Sequence, residues 1–239
     1  KKIISTVTAM PWPATSLELL AWFRAYYPAA LGSITSQFLP SSLLSIPKNS
    51  SKATKPKSAA TTPLPTLTGE QKSVISAINK GSKGYSSWLL HGETGSGKTR
   101  VYMELAKKTL EAGQSVLILT PEIGLTPQLS KSFKKAFDAP VLEYHSNLTP
   151  ATRRKTWLQI LETDKPMIVI GPRSALFSPL KNIGLVVIDE AHEPAYKQEQ
   201  SPYYYAPRIA AKLAQFHRAI LVSGTATLNI SDYYLSVSK

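Results

Sequence analysis

Trp88-Leu89-Leu90-His91-Gly92-Glu93-Thr94-Gly95-Ser96-Gly97-Lys98-Thr99-Arg100 decides the fold. Trp88 to Leu90 read as a short strand. Gly92, Gly95 and Gly97 allow a tight turn. Beyond Lys98, the apolar residues Val101, Leu105 and Leu110 recur at helical spacing and stop before Gly113. A strand feeding a glycine-rich loop that opens a helix is a phosphate cradle: successive backbone N–H groups turn inward and the helix adds its positive end. Each residue of the pattern then has a task. Gly92, Glu93, Thr94, Gly95, Ser96 and Gly97 form the loop, Lys98 puts a charge at the β- and γ-phosphates, Thr99 offers a hydroxyl to Mg²⁺, and Arg100 borders the cradle.

Outward from the loop, strands and helices alternate. Val116–Leu119, Val141–Tyr144, Met167–Ile170, Leu185–Ile188 and Ala219–Val222 are short apolar runs. Helical spacing recurs around Leu129, Phe133 and Phe137, around Trp157, Leu158 and Leu161, and over 206–216. Upstream, Thr68 and Gln71 have capping-box spacing ahead of Val74, Ile75 and Ile78. Apolar strands separated by helices predict an α/β fold, a parallel sheet covered on both faces.

Asp189-Glu190-Ala191-His192 closes the strand Leu185–Ile188. Both carboxylates therefore belong at the carboxyl edge of the sheet, where α/β proteins bind ligands. An isolated acidic pair is usually a solvated surface feature. Behind a buried strand, with a phosphate loop upstream, it reads as the hydrolytic pair of an NTPase: Asp189 to orient Mg²⁺ and Glu190 to polarise the attacking water as general base. His192 has no partner spacing for a metal and is expected to link the site to neighbouring loops by hydrogen bonds. His91, His145 and His217 read as structural. Tyr196-Lys197-Gln198, Tyr203-Tyr204-Tyr205 and Arg208 interleave aromatics with cations close to the pair, suiting a loop that stacks on bases and senses a strand. A tyrosine-rich surface turn around Pro202 is the plainer alternative.

Three zones emerge. Residues 1–45 hold one amphipathic helix: Thr15 and Glu18 have capping-box spacing, and Leu19, Leu20, Trp22, Phe23, Tyr26 and Tyr27 follow with helical period. Packing against a neighbour is the expected use of this stripe, with base stacking as the alternative. Residues 46–66 lose all periodicity, and Pro47, Pro56, Pro63 and Pro65 punctuate Ser, Thr, Ala and the lysines 48, 52, 55 and 57, as in a flexible linker. Residues 67–239 carry the regular pattern.

Composition narrows the partners. Of 239 residues, 28 are Lys or Arg against 15 Asp or Glu, and the net charge of +13 attracts polyanions, nucleic acid foremost. There is no cysteine, which excludes disulfides and any Cys-ligated zinc in this chain. No apolar run approaches a membrane span, so no membrane partner is expected. Lys1-Lys2-Ile3-Ile4-Ser5-Thr6 is not followed by a signal core, and the default expectation is a cytoplasmic protein, nucleoid-associated if it binds DNA.

Further segments identify a likeness. Pro121-Glu122-Ile123-Gly124-Leu125-Thr126-Pro127-Gln128, Arg173-Ser174-Ala175-Leu176-Phe177, Tyr196-Lys197-Gln198 just after the acidic pair, and Gly224-Thr225-Ala226-Thr227 together resemble the PriA (primosomal protein N′) family of replication-restart DNA helicases, in superfamily 2. The resemblance covers about 67–230 closely and 16–45 weakly. It implies a RecA-like P-loop NTPase lobe over 67–239, preceded by the flexible linker and by a short helical remnant of an N-terminal DNA-binding domain in 1–45. It further implies an ATP- and Mg²⁺-dependent 3′-to-5′ DNA helicase motor of replication restart, working on forked or single-stranded DNA with primosome and single-strand-binding proteins. By the same resemblance Gln71 would read the adenine side, and Arg173 would lie in a DNA-backbone motif. Tyr196, Lys197, Tyr203, Tyr204 and Tyr205 would form the loop that couples strand binding to ATP turnover, with His192 beside it, and Thr225 and Thr227 would relay nucleotide state.

The chain departs from the family pattern at Ala191, where a second Glu is usual, at Pro172, where Thr is usual, and at Tyr204-Tyr205-Ala206-Pro207-Arg208. It also ends at Lys239 without the second motor lobe, its arginine finger, or the cysteine-rich zinc segment. A fragment is therefore expected, one that binds Mg·ATP, hydrolyses it poorly and unwinds nothing. The other readings are an ATP-gated DNA-binding or scaffold module and a different superfamily 2 translocase; the 121–128 segment argues against the last.

Overall fold

A computed structural model describes residues 10–44, 64–81, 84–228, 230, 233 and 234. Six strands form one parallel sheet: β1 (Ser86–His91), β2 (Ser115–Leu119), β3 (Val141–Glu143), β4 (Ile168–Gly171), β5 (Ile183–Ile188) and β8 (Ile220–Thr225). Their spatial order is β1-β8-β5-β2-β4-β3. Two further short strands, β6 (Lys197–Gln198) and β7 (Tyr204–Tyr205), pair antiparallel outside it. Because all six main strands run the same way, all their carboxyl ends gather on one edge. The loops after β1, β5 and β8 are neighbours there.

Alternate residues of the central strands feed two cores, as strand geometry requires. Val116, Ile118, Leu185 and Val187 face the side covered by α3 (Gly69–Gly81), α4 (Lys98–Glu111) and α5 (Thr126–Ala136). Leu117, Leu119, Val186 and Ile188 face the side covered by α1 (Ala14–Tyr26), α2 (Leu31–Phe38), α6 (Pro150–Glu162) and α7 (Ala206–His217). β2 and β5 are buried along their whole length, which explains their unbroken apolar runs. Local signals set the boundaries. Thr68 and Gln71 close a reciprocal capping box, the Thr68 N–H reaching Gln71 Oε1 at 3.0 Å and the Gln71 N–H reaching Thr68 Oγ1 at 3.2 Å. Thr149 caps α6, with Pro150 in its first turn.

The N-terminal zone differs from its expected form in two ways. α1 starts at Ala14 without a side-chain cap, so Thr15 and Glu18 form no capping box. Pro13 supplies the start instead, its carbonyl accepting from the N–H groups of Ser16 and Leu17. A second helix, α2, follows within the same zone. Together they complete the core of the lobe. Phe23 and Phe38 meet Phe177 edge-to-face at 5.7 and 4.9 Å, Phe23 meets Tyr204 at 5.7 Å, and the Trp157 indole donates to the Phe38 carbonyl at 3.0 Å. Leu19 and Phe23 of the aromatic stripe are thus a packing face, while Tyr26 at its end stays exposed. Most of the expected linker, residues 46–63 with its first three prolines and its lysines, lies outside the described residues, as does the segment 1–9. Its last residues are docked: Leu64 packs against the α3–α4 side, and the Pro65 carbonyl accepts from Arg100 Nε at 2.8 Å.

Candidate functional site

β1 delivers the chain into the glycine loop, whose first N–H, from Gly92, bonds to the Thr225 carbonyl at the end of β8. The loop turns through Glu93 and Ser96 and enters α4 at Lys98. Gly97 is required there on two counts. Its φ of +85° lies in the left-handed region, and a Cβ would stand 2.5 Å from Gln71 Nε2. Gln71 uses that closeness to donate to the Gly97 carbonyl at 3.4 Å, pinning α3 to the loop. The Arg100 N–H is taken by the Gly97 carbonyl at 2.9 Å, while the N–H groups of Lys98 and Thr99, at the opening of α4, face the concavity with the positive end of the helix dipole. Glu93, Thr94, Gly95 and Ser96 are exposed and Thr99 is half-buried at the helix start. Arg100 points elsewhere: it holds Pro65 and pairs with Glu104 at 2.9 Å.

The acidic pair reaches the same place. Lys98 is only 8% exposed, and its Nζ donates to the carbonyls of Gly92 at 2.8 Å and Glu93 at 3.3 Å. The same Nζ lies 3.2 Å from Glu190 Oε1. Glu190 adopts φ +46°, uncommon for a residue with a side chain, and its Oε2 accepts from the Ala226 N–H at 3.3 Å. The turn is stitched to both neighbouring strands, Asp189 N–H to the Leu119 carbonyl and Ala191 N–H to the Gly224 carbonyl.

Asp189 is gripped by two buried tyrosines. Tyr102, on α4, donates to Asp189 Oδ1 at 3.0 Å. Tyr196 donates to the Asp189 carbonyl at 2.6 Å and to the Leu119 carbonyl at 3.1 Å. Burial raises the Asp189 carboxyl above the ordinary range, against the opposing hydrogen bond from Tyr102. Burial and the nearby carboxylates push both phenols upward, so they remain protonated donors. Neither tyrosine contact could be foreseen from spacing. Tyr102 carried one signal only, a polar tip on the buried face of the helix that follows the phosphate loop.

A second path of polar contacts leads away from Glu190, the later links of it hydrogen bonds. His192 Nδ1 lies 3.6 Å from Glu190 Oε2 and 2.9 Å from Thr225 Oγ1. Thr225 Oγ1 donates to the Thr227 carbonyl at 2.6 Å and accepts from the Thr227 N–H at 3.2 Å. His192 is thus tied to the last residue of β8.

The aromatic loop divides by burial. Tyr196 and Tyr204 are core residues, Tyr204 seated between Phe23 and Phe177 with its hydroxyl pushed up to about 12 by burial. Of the four tyrosines of the expected strand-sensing loop, Tyr196 and Tyr204 turn their rings inward and fill apolar space that α1 and β2 would otherwise leave open. Tyr203, Tyr205 and Lys197 remain exposed and, with Tyr27, line an open groove. Arg173 Nη1 donates to the carbonyls of Ala195 and Lys197 at 2.5 and 3.0 Å. In this arrangement its guanidinium clamps the loop rather than standing free.

Among the described residues no three His, Cys, Asp or Glu side chains form a cage for a metal. A hard divalent ion here would take oxygen from Thr99 and Asp189 and complete its shell with phosphate and water.

Residues 68–233 match the family model described as DEAD/DEAH box helicase. The chain belongs to the DEAD/DEAH box helicase family. Within that family it is 43% identical over 171 residues to the replication restart protein PriA of Synechocystis, covering 71% of this chain and 20% of that protein. It is 41% identical over 175 residues to PriA of Bacillus subtilis, covering 72% and 22%. With PriA of Rickettsia felis it shares 38% over 218 residues, covering 91% and 33%. The chain thus spans about a fifth to a third of the length of these curated relatives. The helicase domain of Hef from Pyrococcus furiosus aligns with TM-score 0.52 at 20% identity, over 70% of this chain and 35% of that one. The DUF1998 helicase MrfA aligns with TM-score 0.51 at 19% identity, over 73% and 29%. These two likenesses establish the fold of the chain's α/β sheet domain as RecA-like.

Proposed function

We propose that residues 67–239 are the first motor lobe of an ATP-dependent 3′-to-5′ DNA helicase that acts in replication restart, and that residues 10–44 are the helical end of an N-terminal DNA-binding domain docked on it. The single observation that carries the reading is the 3.2 Å approach of Lys98 to Glu190 beside the glycine loop. Loop N–H groups and Lys98 are where a triphosphate fits, and the oxygens of Thr99 and Asp189 are the hard donors that suit Mg²⁺. When bound, Mg²⁺ draws charge from the phosphate oxygens. This chain's own residues do the rest. The loop orients the phosphates, Lys98 neutralises developing charge, and Glu190 is placed to take a proton from water. Gln71, bonded to Gly97, would lie beside the base.

DNA is the proposed track. The net charge of +13 supports polyanion binding, and Tyr203, Tyr205 and Lys197 offer exposed rings and a cation next to Tyr196, which touches the Asp189 backbone. Primosome and single-strand-binding proteins as partners, and a cytoplasmic, nucleoid-associated location, rest on the PriA relatives. Titrating the chain with Mg·ATP by calorimetry, with and without single-stranded DNA, tests the reading. Saturable, magnesium-dependent binding supports it, and its absence would overturn it.

A further inference from the structure

Gly224 opens the tetrad Gly224-Thr225-Ala226-Thr227 on β8, yet no nucleotide-facing task falls to it. Its neighbour explains it. A Cβ built at Gly224 would collide with the Tyr102 hydroxyl, and the next atom, Tyr102 Cζ, would stand at 2.9 Å. The φ of Gly224 is not in the left-handed region, so the glycine is needed for space and not for backbone conformation. That space is used for one purpose. Tyr102 is fully buried, and its hydroxyl passes over Gly224 to meet Asp189 Oδ1 at 3.0 Å. Three separate segments converge on one bond: the helix after the phosphate loop, the acidic turn, and the tetrad.

We infer that Tyr102 is a positioning residue for Asp189, holding one carboxylate oxygen so that the group meets a phosphate-bound divalent cation in a fixed orientation, and that Gly224 exists to give the Tyr102 hydroxyl its path. A donor behind a metal-binding carboxylate fixes ligand direction, and removing such a partner weakens metal binding about 10- to 100-fold. The Tyr102 hydroxyl spends its hydrogen bond on Asp189, so it acts through Asp189. The inference rests on the proposed role of Asp189 at the metal.

The test is fluorescence titration with N-methylanthraniloyl-ADP in Mg²⁺ and in EDTA, with Mn²⁺ electron paramagnetic resonance on the same samples. For the parent chain, Mg²⁺ should tighten nucleotide binding; if it does not, the proposed metal site itself fails. Given that response, Tyr102→Phe should leave affinity in EDTA unchanged while losing about tenfold of the Mg²⁺ increment, and should alter the bound Mn²⁺ spectrum. A Tyr102→Phe protein with the full increment and the parental spectrum would overturn the positioning role while leaving the metal site standing. Gly224→Ala should lower the melting temperature. Adding Tyr102→Phe removes the colliding oxygen and should restore about half of that loss, a non-additivity expected only for groups in contact. Strict additivity of the two substitutions would overturn the assignment of Gly224.

Discussion

Glu190 Oε1 stands 3.2 Å from Lys98 Nζ, joining the acidic turn after β5 to the first residue of the phosphate-loop helix. Lys98 is buried and Glu190 half-buried, so removing either partner leaves the other's charge poorly compensated.

Lys98→Ala should therefore do double damage, removing the phosphate cation and leaving a carboxylate facing the cradle. Removing a buried cation that faces the phosphates costs about 2–5 kcal/mol of binding, which corresponds to a loss of Mg·ATP affinity of roughly 30- to 5,000-fold. Calorimetry reads this directly, and a variant binding within twofold of the parent would show that the cradle does not hold the triphosphate.

Glu190→Gln keeps the shape and the acceptor for Ala226 N–H while removing basicity. Nucleotide binding should persist, and single-turnover hydrolysis should fall by about 10²–10⁴. Equal hydrolysis by the variant would mean that another group activates the water.

Tyr203→Ala and Tyr205→Ala should each weaken single-stranded DNA binding by about 1–3 kcal/mol if each ring stacks on one base. Tyr204→Phe should change DNA affinity little, because that ring faces Phe23 and Phe177. Fluorescence anisotropy at several salt concentrations separates these outcomes from simple charge attraction, which alone gives the salt slope. A loss confined to Tyr204→Phe would reverse the assignment of exposed and buried rings.

His217 titrates far below its usual 6.5, at about 4, because burial disfavours its cation. Its Nδ1 also accepts the Ile183 N–H at 3.2 Å, a bond that protonation at that nitrogen would break. In the unfolded chain the imidazole takes its proton near 6.5, and in the folded chain it does so only near 4. The stabilisation is thus whole above pH 6.5 and drains away as pH falls toward 4, by roughly 3 kcal/mol at most. Urea denaturation at pH 7 and pH 4.5 should show the decline, and His217→Gln should flatten it. An equal decline in that variant would assign the effect to other groups.

Much of this architecture was legible because the two cores impose strong patterns. Fully buried β2 and β5 had to be apolar throughout, and the capping box of Thr68 and Gln71 marked α3 by hydrogen bonds local enough to read from spacing. The Lys98–Glu190 encounter was foreseeable because parallel strands bring their ends to one edge. Thr15 and Glu18 misled, since a capping box shares its spacing with any i, i+3 pair inside a helix, and Pro13 had already set the start. Tyr102 and Tyr196 could not be found the same way. Their rings satisfy the apolar pattern of a core, and only three-dimensional proximity reveals that each hydroxyl reaches Asp189. Arg173 carried the same ambiguity, since a cation that would suit a phosphate equally suits two loop carbonyls.

The docking of Phe23 and Phe38 on Phe177, with Trp157 tied to Phe38, carries a practical lesson for anyone dissecting the molecule. Cutting at the proline-studded stretch, the natural place for scissors, would strip a greasy wall bare on the motor piece. The trimmed product should clump or need detergent, whereas a version keeping its leader from residue 10 onward should stay in solution.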